Sequence, residues 1–168
     1  MTLEIALEAD EEWDSSTDWE ALARAAAQAA IAESRFPALA DTPRPVELSI
    51  RLTGDEGVRA LNAEWRGKDK PTNVLSFPLA EDHELAAAGA DGPELMLGDI
   101  VLARGVCLSE AEDKAIPLDR HAAHLIVHGT LHLLGYDHHD DAAAEDMEAR
   151  ETRALARLGI ANPYEEAA

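Results

Sequence analysis

The chain has one cysteine, Cys107, in 168 residues. An internal disulfide is excluded, and with it a small secreted scaffold held together by disulfides. No window reaches the run of about 18 apolar residues that a membrane span requires. The opening stretch, Met1 to Trp13, carries Glu4, Glu8, Asp10, Glu11 and Glu12 where a secretory signal needs positive charge, so the expected location is the cytoplasm. Positive charge is scarce throughout, with 14 Lys and Arg against 34 Asp and Glu and a formal net charge of −20. Because affinity for a phosphate backbone comes largely from Lys and Arg, that deficit argues at first against a nucleic-acid partner. Its distribution weakens the objection. Residues 1–42 carry a net charge of −8, whereas residues 51–70 hold Arg51, Arg59, Arg66, Lys68 and Lys70 and carry a net charge of +1. What counts for binding is the local field at a site.

What is present describes an ordinary globular chain. Hydrophobic residues make up 46% and charged residues 29%, close to the average for folded domains, and the length fits a single domain over residues 1–168. Leu3 to Leu7 alternates apolar and polar as a half-buried strand does. The Asp14–Asp18 cluster offers caps for an Ala-rich helix from Trp19 to Ile31. A loop bracketed by Pro37 and Pro45 leads to a second alternating strand, Val46 to Leu52. Helical spacing of Val58, Leu61, Asn62 and Trp65 predicts a helix over residues 55–65 with Gly67 as its stop. Lys68 to Asn73 is read as a loop feeding a short strand, Val74 to Phe77. The stretch Ala80 to Pro93 has no apolar face and is read as a mobile surface loop. Gly98 to Ala103 reads as a strand, and helices follow over about residues 106–114, 118–134 and 140–158. The expected fold class is α+β, one compact domain with a small mixed sheet flanked by helices.

The chemistry is concentrated between residues 128 and 138. His128 and His132, four apart on a helix, project from one face about a turn apart, so that both imidazoles can reach one ion. Gly135 can take the left-handed conformation that ends a helix and reverses the chain, which would return His138 as a third ligand. The H-x-x-x-H-x-x-G-x-x-H spacing is that of the metzincin zinc proteases, making this a zincin-like histidine-bearing helix. Three neutral nitrogens leave a fourth tetrahedral position open for water, as in catalytic zinc sites. The proteases place Glu, the general base, directly after the first histidine. Here that position is Gly129, which makes peptide cleavage a poor expectation. Phosphodiester chemistry instead needs positive charge where charge develops on the phosphoryl group, and an arginine facing the ion would supply it.

The histidine segment, the block Trp65-Arg66-Gly67-Lys68-Asp69-Lys70-Pro71-Thr72-Asn73-Val74-Leu75-Ser76-Phe77-Pro78 and the run Leu97-Gly98-Asp99-Ile100 together resemble the YbeY family of bacterial rRNA-maturation endoribonucleases. The resemblance covers almost the whole chain. It implies a zinc-dependent endoribonuclease specific for single strands, acting in maturation of the 16S rRNA 3′ end and in ribosome quality control. It implies one zinc ion held by His128, His132 and His138, and a functionally important arginine at Arg66. The implied partners are single-stranded RNA, specifically 16S rRNA, and the small ribosomal subunit with its proteins, not DNA or a membrane. Two other readings stand beside it. One is a ribosome-assembly factor with a mainly structural zinc, and the other is a different zinc hydrolase.

Arg66 is expected to grip phosphate with its fork-shaped cation, whereas Lys68 and Lys70 are either phosphate contacts or a solvated turn. His121 and His124 share the stripe of His128 and His132, as partners behind the ligands or as packing residues. Asp137 orients a histidine, acts as a base, or forms the turn. Met147 and Cys107 are read as core.

Overall fold

The computed structural model describes residues 3–13, 16–40, 42, 44–87, 93–137 and 139–163. Strands β1 (Leu3–Ala9), β2 (Val46–Thr53) and β4 (Leu95–Ala103) run parallel. Strand β3 (Val74–Pro78) pairs antiparallel with β4 at the edge, giving the order β1-β2-β4-β3. The mixed sheet is flanked by helices, as the sequence pattern predicts.

Alternation along the strands builds two unequal cores. Leu3 and Ile5, then Val46, Leu48, Ile50 and Leu52, then Ile100 and Leu102 join the larger cluster. Helices α1 (Trp19–Ala32) and α5 (Leu118–Leu133) contribute to it, and α6 (Asp141–Arg157) packs on both of them. Ala23, Ala26, Ala27 and Ala30 of α1 are buried, and such small side chains allow close approach of α1 and α5. Val58 and Leu61 of α2 (Asp55–Arg66) cover a smaller cluster with Leu75, Phe77, Val101, Ala103 and Val106, the last from α4 (Arg104–Lys114). Cys107 is fully buried, and burial, with Glu110 adding to it, pushes its thiol up to about 12. Asp18 caps α1 by accepting from the Ala21 N–H at 3.0 Å, while Asp14 and Ser15 of the expected cap cluster lie outside the described residues.

Two expectations need correction. The stretch 80–93 is not all loop, because residues Asp82–Ala86 form a short helix, α3, closed by a capping box between Glu81 and Glu84 and anchored by the buried Leu85. One buried leucine in a single turn is too little for an apolar periodicity, but the Glu81-x-x-Glu84 spacing was a readable signal. Strand β4 begins at Leu95 and not at Gly98. The pairing of β2 with β4 shifts between Glu47 and Leu48, so Leu97 is the extra residue of a bulge. Leu95 and Leu97 are buried before the bulge and Ile100 and Leu102 after it, so the period-2 pattern changes phase and only its second half reads as a strand. Gly98 sits at the phase change with φ +144, and a Cβ there would lie 2.3 Å from the Phe77 carbonyl oxygen and 2.8 Å from Leu133 Cδ2.

Candidate functional site

Helix α5 ends in a Schellman motif. The Tyr136 N–H donates to the Leu131 carbonyl at 3.0 Å and the Gly135 N–H to the His132 carbonyl at 3.0 Å, with Gly135 at φ +94. The chain reverses there, and the Tyr136 carbonyl turns back over the helix. That carbonyl accepts from His132 Nδ1 at 2.9 Å. The turn is fixed in its own right, because the Tyr136 ring carries the guanidinium groups of both Arg35 and Arg150 over it, each 4.9 Å from its centroid. The Tyr136 hydroxyl also accepts from the Arg35 N–H at 2.9 Å.

On the neighbouring helix, Glu151 is fully buried. Its Oε1 lies against His128 Nδ1 and its Oε2 is 3.2 Å from His124 Nε2. A carbonyl and a carboxylate only accept hydrogen bonds, so both ligand-candidate rings carry their proton on Nδ1. The lone pairs then sit on Nε2, and the two Nε2 atoms are 3.0 Å apart. Two acceptor nitrogens held this close define a seat for a cation, within the span of two ligand bonds of about 2.0–2.1 Å. The donor set therefore fits a first-row metal ion, and the acceptors behind the rings are of the kind that orient metal-bound imidazoles. His138, the expected third ligand, lies outside the described residues.

Arg66 and this histidine pair line one cleft of about 510 Å³, together with Val74, Ser76, Pro78 and Asp137. Arg66 is the last residue of α2 and is exposed, and Gly67 at φ +69 stops the helix as expected. The basic turn that follows is clamped. The Asn62 amide, buried under α2, donates to the Lys70 carbonyl at 2.9 Å, the Lys68 N–H returns to the Asn62 carbonyl at 3.2 Å, and Arg59 pairs with Asp69. Lys68 and Lys70 are exposed on that turn and do not line the cleft. His124 stands behind the pair, through Glu151. His121 does not reach it, bonding instead at 2.9 Å to Glu110, which also accepts from Asn73, the residue before β3. Burial holds His121 below its usual range against the opposing pull of Glu110. Met147 is core, as expected.

Glu151 is the residue the sequence reading missed. It occupies the buried stripe of α6 with Met147, Ala154 and Leu155. An acid on an apolar stripe needs a buried partner, and that signal would have found it.

A family model described as Endoribonuclease YbeY matches residues 5–159. Among similar curated proteins, an Endoribonuclease YbeY of Rhizorhabdus wittichii is 53% identical over 163 residues, covering 96% of each chain. One of Sphingopyxis alaskensis is 53% identical and covers 96% of this chain and 97% of its own. One of Erythrobacter litoralis is 52% identical over 167 residues, covering 98% of each. The fold is similar to the solution structure of TM1509 from Thermotoga maritima, with a TM-score of 0.54 at 20% identity over 97% of this chain and all of that one.

Proposed function

The chain belongs to the YbeY endoribonuclease family, and from that premise we propose that it is a zinc-dependent endoribonuclease that cuts single-stranded RNA. The single observation that carries the reading is the meeting of Arg66 with the two Nε2 atoms in one cleft. In this reading His128, His132 and His138 hold one zinc ion per chain. Bound there, zinc supplies a Lewis acid that polarises a phosphate oxygen and acidifies water. Glu151 and the Tyr136 carbonyl keep the two described rings aimed and in the metal-binding tautomer. Arg66 binds the phosphate next to the bond that breaks and balances the charge that builds on it, a task that suits a guanidinium fork. The open space beside the histidines supports a catalytic ion over a closed structural one.

The proposed substrate is the 3′ end of 16S rRNA, with action on the small ribosomal subunit in rRNA maturation and quality control, in the cytoplasm. In the described residues, no helix is long and apolar enough to cross a membrane. The alternative of a peptidase is disfavoured at Gly129. A Cβ there would stand 3.1 Å from two carbons of the fully buried Ile100, so this position faces the sheet and a side chain in place of the glycine would have to displace Ile100. Replacing Arg66 by Glu is expected to abolish RNA cleavage while metal content stays unchanged. Undiminished cleavage by that variant would remove the role given to Arg66.

A further inference from the structure

Edge strand β3 separates two surfaces. Val74, Ser76 and Pro78 line the histidine cleft, while Phe77 and the following Leu79 line a second groove of about 400 Å³ on the other side of the sheet. The end of α2 divides in the same way, Arg66 belonging to the cleft and Trp65 to the groove. Trp65 is 67% exposed and Leu79 57%, unusual for large apolar side chains, and Trp65 stands edge-on to Phe77 with ring centroids 6.5 Å apart. Arg51 and Asp99 add polar groups to the groove. Trp13 and Trp19, by contrast, are buried against each other.

We propose that this groove is a base-binding subsite for single-stranded RNA, in which Trp65 and Phe77 form the aromatic platform for a nucleobase close to the phosphate held by Arg66. The inference rests on the RNA-cleaving reading above. Three observations favour this occupant. Groove and cleft are lined by neighbouring residues of the same two elements, Trp65 beside Arg66 and Phe77 between Ser76 and Pro78, so a strand bent over the sheet edge would reach both. Among the described residues that line the cleft Arg66 is the one permanent cation, in a chain of net charge −20, so contacts that do not depend on charge have affinity to supply. Stacking is such a contact, is tolerant of base identity, and is available only where bases are unpaired, which gives a physical reason for single-strand preference.

The test uses the metal-loaded full chain and a short single-stranded RNA. Trp65→Ala is expected to raise KM by about 5- to 150-fold, the range that loss of one stacked base implies, with most of the loss in KM, while Trp65→Phe restores most of the affinity. An abasic nucleotide moved along the RNA is expected to raise KM at one position relative to the cut in the wild type, and at none in Trp65→Ala. Rapid mixing with RNA is expected to quench tryptophan emission, and Trp65→Phe to remove that quench. Met96→Ala, exposed on β4 but outside the groove, serves as the control for surface truncation. An unchanged KM in Trp65→Ala with equal sensitivity to abasic positions overturns the subsite and leaves the groove to a polypeptide. If the wild type cuts no RNA, the nuclease reading fails by itself. The quench then decides the subsite: a loss of emission at Trp65 supports it, and steady emission overturns it.

Discussion

Replacing Glu151 by Gln separates the contribution of the buried carboxylate to metal binding from its contribution to folding. The carboxylate accepts from two imidazoles, at His128 Nδ1 and His124 Nε2. A Gln has one oxygen and one NH₂ group, so it can satisfy one ring only and presents donors to the other. If the oxygen faces His124, His128 moves its proton to Nε2 and loses the lone pair that faces His132. Partners behind metal-bound histidines are worth about 10- to 100-fold in affinity. At a metal concentration of about 100 times Kd, binding stabilises the wild type by about 2.7 kcal/mol. Weakening Kd tenfold or a hundredfold reduces this to about 1.4 or 0.4 kcal/mol by the same relation. For a domain of this size each kcal/mol is about 2–4 °C in Tm, so the metal-induced shift falls from about 5–11 °C to about 1–6 °C. The assay is thermal unfolding of metal-free and metal-loaded protein, with affinity measured directly by competition against a chromophoric chelator. Glu151→Leu, which offers no acceptor in any orientation, is measured beside it, and an unchanged Kd in both variants would refute the reasoning, whatever happened to the metal-free Tm.

Gly98→Ala places a Cβ into the Phe77 carbonyl at a φ that L residues rarely adopt, and is expected to cost at least about 3 kcal/mol. Urea unfolding checks it, and a loss under about 1 kcal/mol would contradict the assigned geometry. Glu33 accepts from Arg157 at 2.6 Å and Arg153 at 3.0 Å, joining the end of α1 to α6. The Arg157 hydrogen bond, opposed by burial and reinforced by Arg153, holds its carboxyl below the usual range. A carboxyl lowered on folding stabilises above its unfolded value near 4.5, and that contribution is lost as pH falls through the folded value. Glu33→Gln is therefore expected to lower stability at pH 7 by up to about 1 kcal/mol, since both arginines are half exposed, and to match the wild type in strong acid. A difference in Tm independent of pH would count against the pairing.

Strands β1 and β2 and helices α1, α2, α5 and α6 were legible in the sequence because each keeps one period over its length and carries its own stop or cap. Gly67, Gly135 and Asp18 act at the expected positions. The first half of β4 was hidden by the bulge at Leu97, which reverses which parity faces the core. Helix α3 was hidden because its anchor is a single leucine. The His128–His132 pair was legible because helix geometry alone puts i and i+4 on one face. Its support was not. Glu151 reaches it from 23 residues further along, and the sequence pattern shows the buried stripe of α6 but not which helix that stripe meets. The split of Trp65 from Arg66, and of Phe77 from Ser76, likewise depends on β3 being the sheet edge, which no local pattern specifies.

The central claim is that one metal-holding cleft cuts single-stranded RNA. The most direct measurement is cleavage of a short single-stranded RNA by the purified protein, with metal content determined on the same sample and His128→Ala measured beside it. The account predicts activity that rises with bound metal and is lost with His128. A fully metallated protein that leaves the RNA intact, or a His128→Ala variant that cuts as well as the wild type, would contradict it.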